Sequence, residues 1–210
     1  MQNLHISLSS LPERARFRWV CAMARKLLSM ELNLHLDISA FRAKVMLSNV
    51  IRKDLICLDI KSRDKLGALK EMLDMLEGID HSFLKIRLFQ NLLNREGLES
   101  TAIGRGVALP HCRTNLVDFP IVMIGWSRKG VDFESPDGKP VHLIIMVLVP
   151  QSSNVPWLDL IGDIMRVIRN DTFIRAVSAA RTPEEVLQAV SDIEQGKAQP
   201  DPRKIHDHTA

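Results

Sequence analysis

Val131-Asp-Phe-Glu-Ser-Pro-Asp-Gly-Lys-Pro-Val-His-Leu-Ile-Ile-Met-Val-Leu-Val149 holds a short apolar piece, a turn signal and a long apolar run. Val141 to Val149 is interrupted only by His142. A membrane-spanning helix needs about 20 apolar residues, so this run reads as a buried strand. Ser135-Pro-Asp-Gly138 has the residues of a tight turn. Val131 to Phe133 reads as a short edge strand before it, and Ile121 to Trp126 as a further strand upstream.

On the C-terminal side the pattern changes to helical spacing. Leu158, Ile161, Ile164, Met165 and Ile168 mark one face of a helix over Trp157 to Arg169. Asp171 to Ala180 continues as a second helix. Thr182-Pro-Glu-Glu185 supplies a cap, a proline at the first helical position and acids in the first turn of a third, running to about Glu194. Residues 196–210, with Pro200 and Pro202, read as a disordered tail.

On the N-terminal side Leu55 to Ile60 is β-prone. Ser62 is placed to cap a helix that carries Leu66, Leu69, Met72, Leu73 and Leu76 and ends at Gly78. A second helix from about Ser82 has the stripe Phe83, Ile86, Phe89, Leu92 and Leu93, closed by Asn94-Arg95-Glu96-Gly97. A loop, a short strand at Val107 to Leu109 and a turn at Pro110 follow. Strands alternating with helices make one α/β domain across about residues 46–195.

Residues 1–45 differ from the rest. Ser10 is a candidate cap, and Phe17, Val20, Cys21, Ala24, Leu27 and Leu28 line one face of a basic helix over Glu13 to Glu31. This extension holds seven Lys/Arg against three acids, while the whole chain of 210 residues is +3. The remainder is therefore near −1, with no electrostatic footprint for nucleic acid. The helix reads either as packed on the main domain or as a docking element for an acidic partner, a membrane surface or nucleic acid. Arg25 and Lys26 cut its apolar run too early for a signal peptide, so a cytoplasmic protein is expected, with no stable membrane insertion. Cys21, Cys57 and Cys112 are odd in number and far apart, which argues against disulfides and a zinc site; no metal or cofactor is expected.

The chemistry lies in Arg95-Glu-Gly-Leu-Glu-Ser-Thr-Ala-Ile-Gly-Arg-Gly-Val-Ala-Leu-Pro-His-Cys112. Gly104-Arg-Gly106 lacks the third glycine of a dinucleotide fingerprint and precedes a strand instead of opening a helix. His111 follows a proline that constrains its backbone. Imidazole is nucleophilic at neutral pH, and phosphorus accepts it when cations or N–H groups hold the phosphoryl oxygens. Arg95 is the candidate cation; Ser100, Thr101 and the backbone at Gly104 and Gly106 are the candidate neutral donors. On this pattern alone, His111 is either a phosphoryl acceptor or a structural histidine.

Glu99-Ser-Thr-Ala-Ile-Gly-Arg-Gly-Val-Ala-Leu-Pro-His111 resembles the active-site signature of the fructose/mannitol-type enzyme IIA of the bacterial sugar phosphotransferase system, most closely its nitrogen-regulatory branch. Leu47-Ser-Asn-Val-Ile51, Leu55-Ile-Cys-Leu58, Arg95-Glu96, the 131–144 hairpin and Thr182-Pro-Glu-Glu-Val-Leu187 are similar to further parts of that family, covering about residues 46–194. The resemblance implies a mixed five-stranded sheet with helices on both faces. It implies that His111 takes a phosphoryl group from the histidine-containing phosphocarrier protein or its nitrogen-branch homologue. In transport members an enzyme IIB is the acceptor; in regulatory members the phosphorylation state controls binding to other proteins. No IIB or membrane IIC portion is visible, which favours a regulatory member. The family places a second histidine at the start of the helix after the last long strand, and here Trp157 aligns with it. Indole donates one N–H but cannot become cationic, so a non-catalytic regulatory binding protein is the alternative. Cys112 stands where many members have glycine and reads as a tolerated small residue. His142 reads as structural.

Overall fold

The computed structural model describes residues 46–76, 82–152 and 157–197, with the side chains of 82, 83, 157 and 158 excepted. The expected basic helix at 13–31 with its Ser10 cap, the helix end at Gly78 and the tail beyond 197 lie outside the described residues.

The elements follow one another as α1 (Leu47–Val50), β1 (Ile51–Cys57), α2 (Lys65–Asp74), α3 (Ser82–Glu96), β2 (Ala102–Gly104), β3 (Val107–Ala108), β4 (His111–Thr114), β5 (Ile121–Val131), β6 (Val141–Pro150), α4 (Trp157–Ile168), α5 (Asp171–Ala179) and α6 (Pro183–Glu194). The sheet is mixed, in the order β1-β5-β6-β3-β2. β5 and β6 are antiparallel, β1 runs parallel to β5, and β3 and β4 both run parallel to β6.

Six strands are present among the described residues where five are expected. The added one arises because β3 and β4 share one side of β6: Val107 pairs with Leu143 and His111 with Val147. Pro110 has no N–H for the ladder, which breaks the line between them. Its carbonyl still accepts the Val147 N–H at 2.9 Å. The sheet is thus five positions wide, and the turn expected at Pro110 is a break inside an extended segment.

Successive side chains of β6 point to opposite faces. Ile144, Met146 and Leu148 enter a core with Leu69, Met72 and Leu73 of α2 and Leu88 and Leu92 of α3. Leu143, Ile145, Val147 and Val149 enter a second core with Ile164, Phe173 and Val186 of α4, α5 and α6. Burial on both faces is why this strand reads as an unbroken apolar run.

Three local expectations are corrected. The cap of α2 is Asp64, whose carboxylate accepts the Gly67 N–H at 2.9 Å; Ser62 instead donates its hydroxyl to Glu71 at 2.8 Å. The buried line of α3 is Leu88, Leu92 and Glu96 at i, i+4 spacing, with Ile86 turned outward at 55% exposure and Leu84, Phe89 and Leu93 at the margin. β1 starts at Ile51, not at Leu55, because the charged Arg52-Lys-Asp54 lies on an outer strand of the sheet, where solvated side chains are tolerated.

The expected pieces 121–126 and 131–133 are largely one strand, β5, with an irregular register between Trp126 and Val131. The turn at 135–138 closes through Gly138 N–H to the Ser135 carbonyl at 2.9 Å. Thr182 caps α6 by accepting the Glu185 N–H.

Candidate functional site

α3 positions the first half of the site. Asn91 Nδ2 donates to Thr114 Oγ1 at 2.9 Å, fastening the helix to β4. One turn further on, Arg95 Nε–H donates to His111 Nε2 at 3.3 Å, and Arg95 Nη1 donates to the Glu99 carbonyl at 3.1 Å. The guanidinium is thereby pinned at the C-terminal end of α3, where a cation is favoured by the helix dipole.

β4 positions the second half. His111 is the first residue of the strand, half-buried, with its Nδ1 at 2.8 Å from the Leu109 carbonyl. A carbonyl only accepts, so Nδ1 carries the hydrogen and Nε2 carries the lone pair. Burial is the largest influence on the imidazole and holds its pKa below the usual value. The bond to Leu109 opposes this, the Arg95 charge adds to it, and the Glu96 carboxylate opposes it. His111 is thus neutral at physiological pH, with Nε2 unprotonated beside a fixed cation.

The structure brings His111 and Arg95 together but gives the other candidates different work. The Ser100 hydroxyl donates to the Phe133 carbonyl at 3.1 Å and accepts the Ala102 N–H at 3.3 Å. The Thr101 hydroxyl donates to Glu96. Both therefore hold the 100–102 segment.

Gly104 and Gly106 are not donors to this site. They form the β2–β3 turn with φ of +78° and +74°. Val107 and His111 pair with residues four apart on β6, Leu143 and Val147, which puts the turn roughly 13 Å from the imidazole. The Arg105 N–H at its tip goes to Asp137 at 2.9 Å. Glycines near a histidine in sequence are separated from it when a strand lies between them.

Glu99, the acid that opens the quoted motif, serves Arg95 through its backbone carbonyl. The acid built into the site is Glu96, with Lys65 3.6 Å away. The available signal was its i, i+4 spacing from Leu92 on the buried line of α3. Trp157 opens α4, but its side chain lies outside the described residues. His142 Nδ1 lies 2.8 Å from the Ser127 carbonyl, and its ring lies against Trp126 at 5.8 Å, a structural placement. Cys112 is buried in the α2–α3 core, with its thiol pushed up to about 12 by burial alone. Among the described residues no group of His, Cys, Asp or Glu converges as a metal site, and no helix is long and apolar enough to cross a membrane.

Comparison with known proteins agrees with this geometry. The chain is 34% identical over 110 residues to a nitrogen regulatory protein of Pseudomonas aeruginosa, covering 52% of this chain and 71% of that protein. It is 28% identical over 145 residues to the fructose-specific EIIABC component of Bacillus subtilis, covering 69% of this chain but only 23% of that much longer protein. The crystal structure of the nitrogen regulatory protein IIA-Ntr from Neisseria meningitidis superposes with a TM-score of 0.63 at 29% identity, covering 68% of this chain and 97% of that one. Residues 49–193 match the family described as phosphoenolpyruvate-dependent sugar phosphotransferase system, EIIA 2, and the chain belongs to that family.

Proposed function

We propose that this protein is a regulatory phosphoryl carrier of the nitrogen-regulatory type, with His111 as acceptor and Arg95 as the cation that steadies the phosphoryl group. The donor is the phosphohistidine of the histidine-containing phosphocarrier protein or its nitrogen-branch homologue. The reading rests chiefly on one observation: Nδ1 is tied to the Leu109 carbonyl while Nε2 faces the Arg95 guanidinium. The Arg95 Nε–H releases Nε2, whose freed lone pair forms a bond to phosphorus as the donor's N–P bond breaks, and the electron pair of that bond returns to the donor imidazole. The hydrogen stays on Nδ1 of His111, donated to the Leu109 carbonyl, so the acceptor loses no proton. Arg95 neutralises charge on the phosphoryl oxygens, which in-line transfer through a loose transition state requires.

The enzyme IIA unit is assigned to residues 46–195, with a basic extension at 1–45, a tail at 196–210 and a cytoplasmic location. The phosphorylation state then governs binding to regulatory targets.

Incubation with phosphoenolpyruvate and the general phosphotransferase proteins tests this. Acid-labile, alkali-stable label on the wild type and none on His111→Ala is the expected result. Unlabelled wild type, or equal label on the variant, overturns it. Two other readings have their own support. The likeness to a fructose-specific EIIABC component favours onward transfer to an enzyme IIB, seen as label leaving His111 when a IIB domain is added. Tryptophan at position 157 favours a binding protein without turnover, in which case no label appears under any condition.

A further inference from the structure

Glu96 takes no part in the transfer step, yet it is the one charged residue in the buried class among the described residues. Its side chain is 4% exposed and that of Lys65 is 12% exposed, with Lys65 Nζ at 3.6 Å from Oε2. A buried carboxylate is kept in the charged state only by such partners. Lys65 itself is shared with the exposed Glu134 at 2.6 Å and lies over the Phe133 ring. The remaining partners of Glu96 all come from Thr101: its N–H reaches both carboxylate oxygens at 3.3 Å, and its hydroxyl donates to Oε1.

These bonds continue to the imidazole. The Thr101 carbonyl accepts the Leu109 N–H at 3.0 Å, and the Leu109 carbonyl accepts Nδ1–H of His111 at 2.8 Å. On the other side Arg95, the residue preceding Glu96, donates to Nε2. Both ring nitrogens therefore trace back to two consecutive residues at the end of α3, one through a guanidinium and one through a carboxylate, a threonine and a leucine carbonyl.

We infer that Glu96 is a positioning residue for His111: by gripping Thr101 it sets the Leu109 carbonyl, fixes the imidazole as the Nδ1–H tautomer and leaves Nε2 as the reacting atom. A Leu109 carbonyl turned out of hydrogen-bond range leaves the Arg95 contact alone to select the tautomer, and an imidazole protonated on Nε2 has no lone pair to offer phosphorus. The carboxylate charge also opposes burial and Arg95, which make the ring less basic. The consequence for rate rests on the reading of His111 as acceptor; the consequence for the tautomer does not.

The test is long-range 1H–15N spectroscopy of the full chain with labelled histidines, His111 being assigned by its loss in His111→Asn. Wild type should show the Nδ1–H form. Glu96→Ala should mix the two tautomers. Glu96→Gln, which keeps an acceptor for Thr101 but no charge, should keep the tautomer and titrate at lower pH than wild type. In transfer assays Glu96→Ala should lower kcat about tenfold with little change in KM for the phosphocarrier donor. A folded Glu96→Ala protein with the wild-type tautomer and midpoint overturns the inference. Should that variant not fold, Glu96→Asp, which keeps the charge but is one methylene too short to grip Thr101 in the same place, serves instead, and the wild-type tautomer and transfer rate there overturn it. A tautomer that responds to Glu96 in a protein that takes no label upholds the positioning role and overturns the carrier reading instead.

Discussion

Arg95 and His111 are 16 residues apart in the chain, yet one hydrogen bond of 3.3 Å joins them, from the end of a helix to the start of a strand. The donor is Nε, while Nη1 is held by the Glu99 carbonyl at 3.1 Å. Arg95→Ala should reduce the rate of phosphoryl acceptance about a hundredfold, the scale for removing one oriented cationic donor. Arg95→Lys should recover only part of this, because an ammonium keeps the charge but not the planar fork that reaches the ring and the Glu99 carbonyl together. Initial rates with the phosphocarrier donor measure both; a wild-type rate in Arg95→Ala refutes the role.

The acceptance rate should show a characteristic pH dependence. Burial, the first cause, holds the His111 pKa below its ordinary value of 6.5. The rate should therefore stay level as pH falls to that value and decline only below it. Stability has the same sign. The unfolded chain binds the proton at higher pH than the folded one, so this contribution is complete above 6.5 and is lost as pH falls through the folded value. Urea midpoints of wild type and His111→Asn, compared above and below 6.5, isolate it.

Trp157→His supplies the imidazole that the resemblance to the family implies at that position. If Trp157 limits turnover, the rate should rise about tenfold, the lower part of the range for one added acid–base group. An unchanged rate in a folded variant favours the binding-protein reading.

Gly130 has φ +80°, and a Cβ there would meet Pro140 Cβ at 2.7 Å and His142 Cε1 at 3.2 Å. Gly130→Ala should cost about 2 kcal/mol in denaturant unfolding, combining left-handed strain with a backbone-side clash. A loss below about 0.5 kcal/mol refutes the close-approach argument.

Cys112 is next to His111 but points into the apolar core. With its thiol pushed up to about 12 it should resist alkylation in the native state and react only on unfolding, as mass spectrometry of iodoacetamide-treated protein would show. Cys112→Ala should transfer phosphate at the wild-type rate. Rapid native labelling contradicts this placement.

Much of the fold was legible because its signals were local. The apolar run of β6, the turn at Ser135 to Gly138 and the cap at Thr182 each depend on a few adjacent residues. What escaped depended on neighbours distant in sequence. Arg52-Lys-Asp54 carries no strand signal of its own, and pairing with β5 makes it part of a strand. The stripe of α3 was drawn through Ile86 because apolar spacing alone does not reveal that the buried line ends on Glu96. In the site, residue chemistry left His111 open between acceptor and structural histidine, and the family resemblance singled it out; the structure joins it to Arg95. Gly104 and Gly106 were assigned to it because they are close in the chain; the register of β3 and β4 on β6 separates them. Glu96 was not singled out because a buried carboxylate is recognised by its partners, Thr101 and Lys65.

The carboxylate of Glu194, the last residue of α6, accepts the backbone N–H groups of Leu47 and Ser48, the latter at 3.1 Å. The point where the chain enters this domain and the point where it leaves are therefore stapled together. A unit built so can be spliced into a longer polypeptide as a pendant, its two connections leaving from one spot while the imidazole is held elsewhere by the middle of the sheet. Swapping the protein attached at either end should disturb the anchor before it disturbs the chemistry.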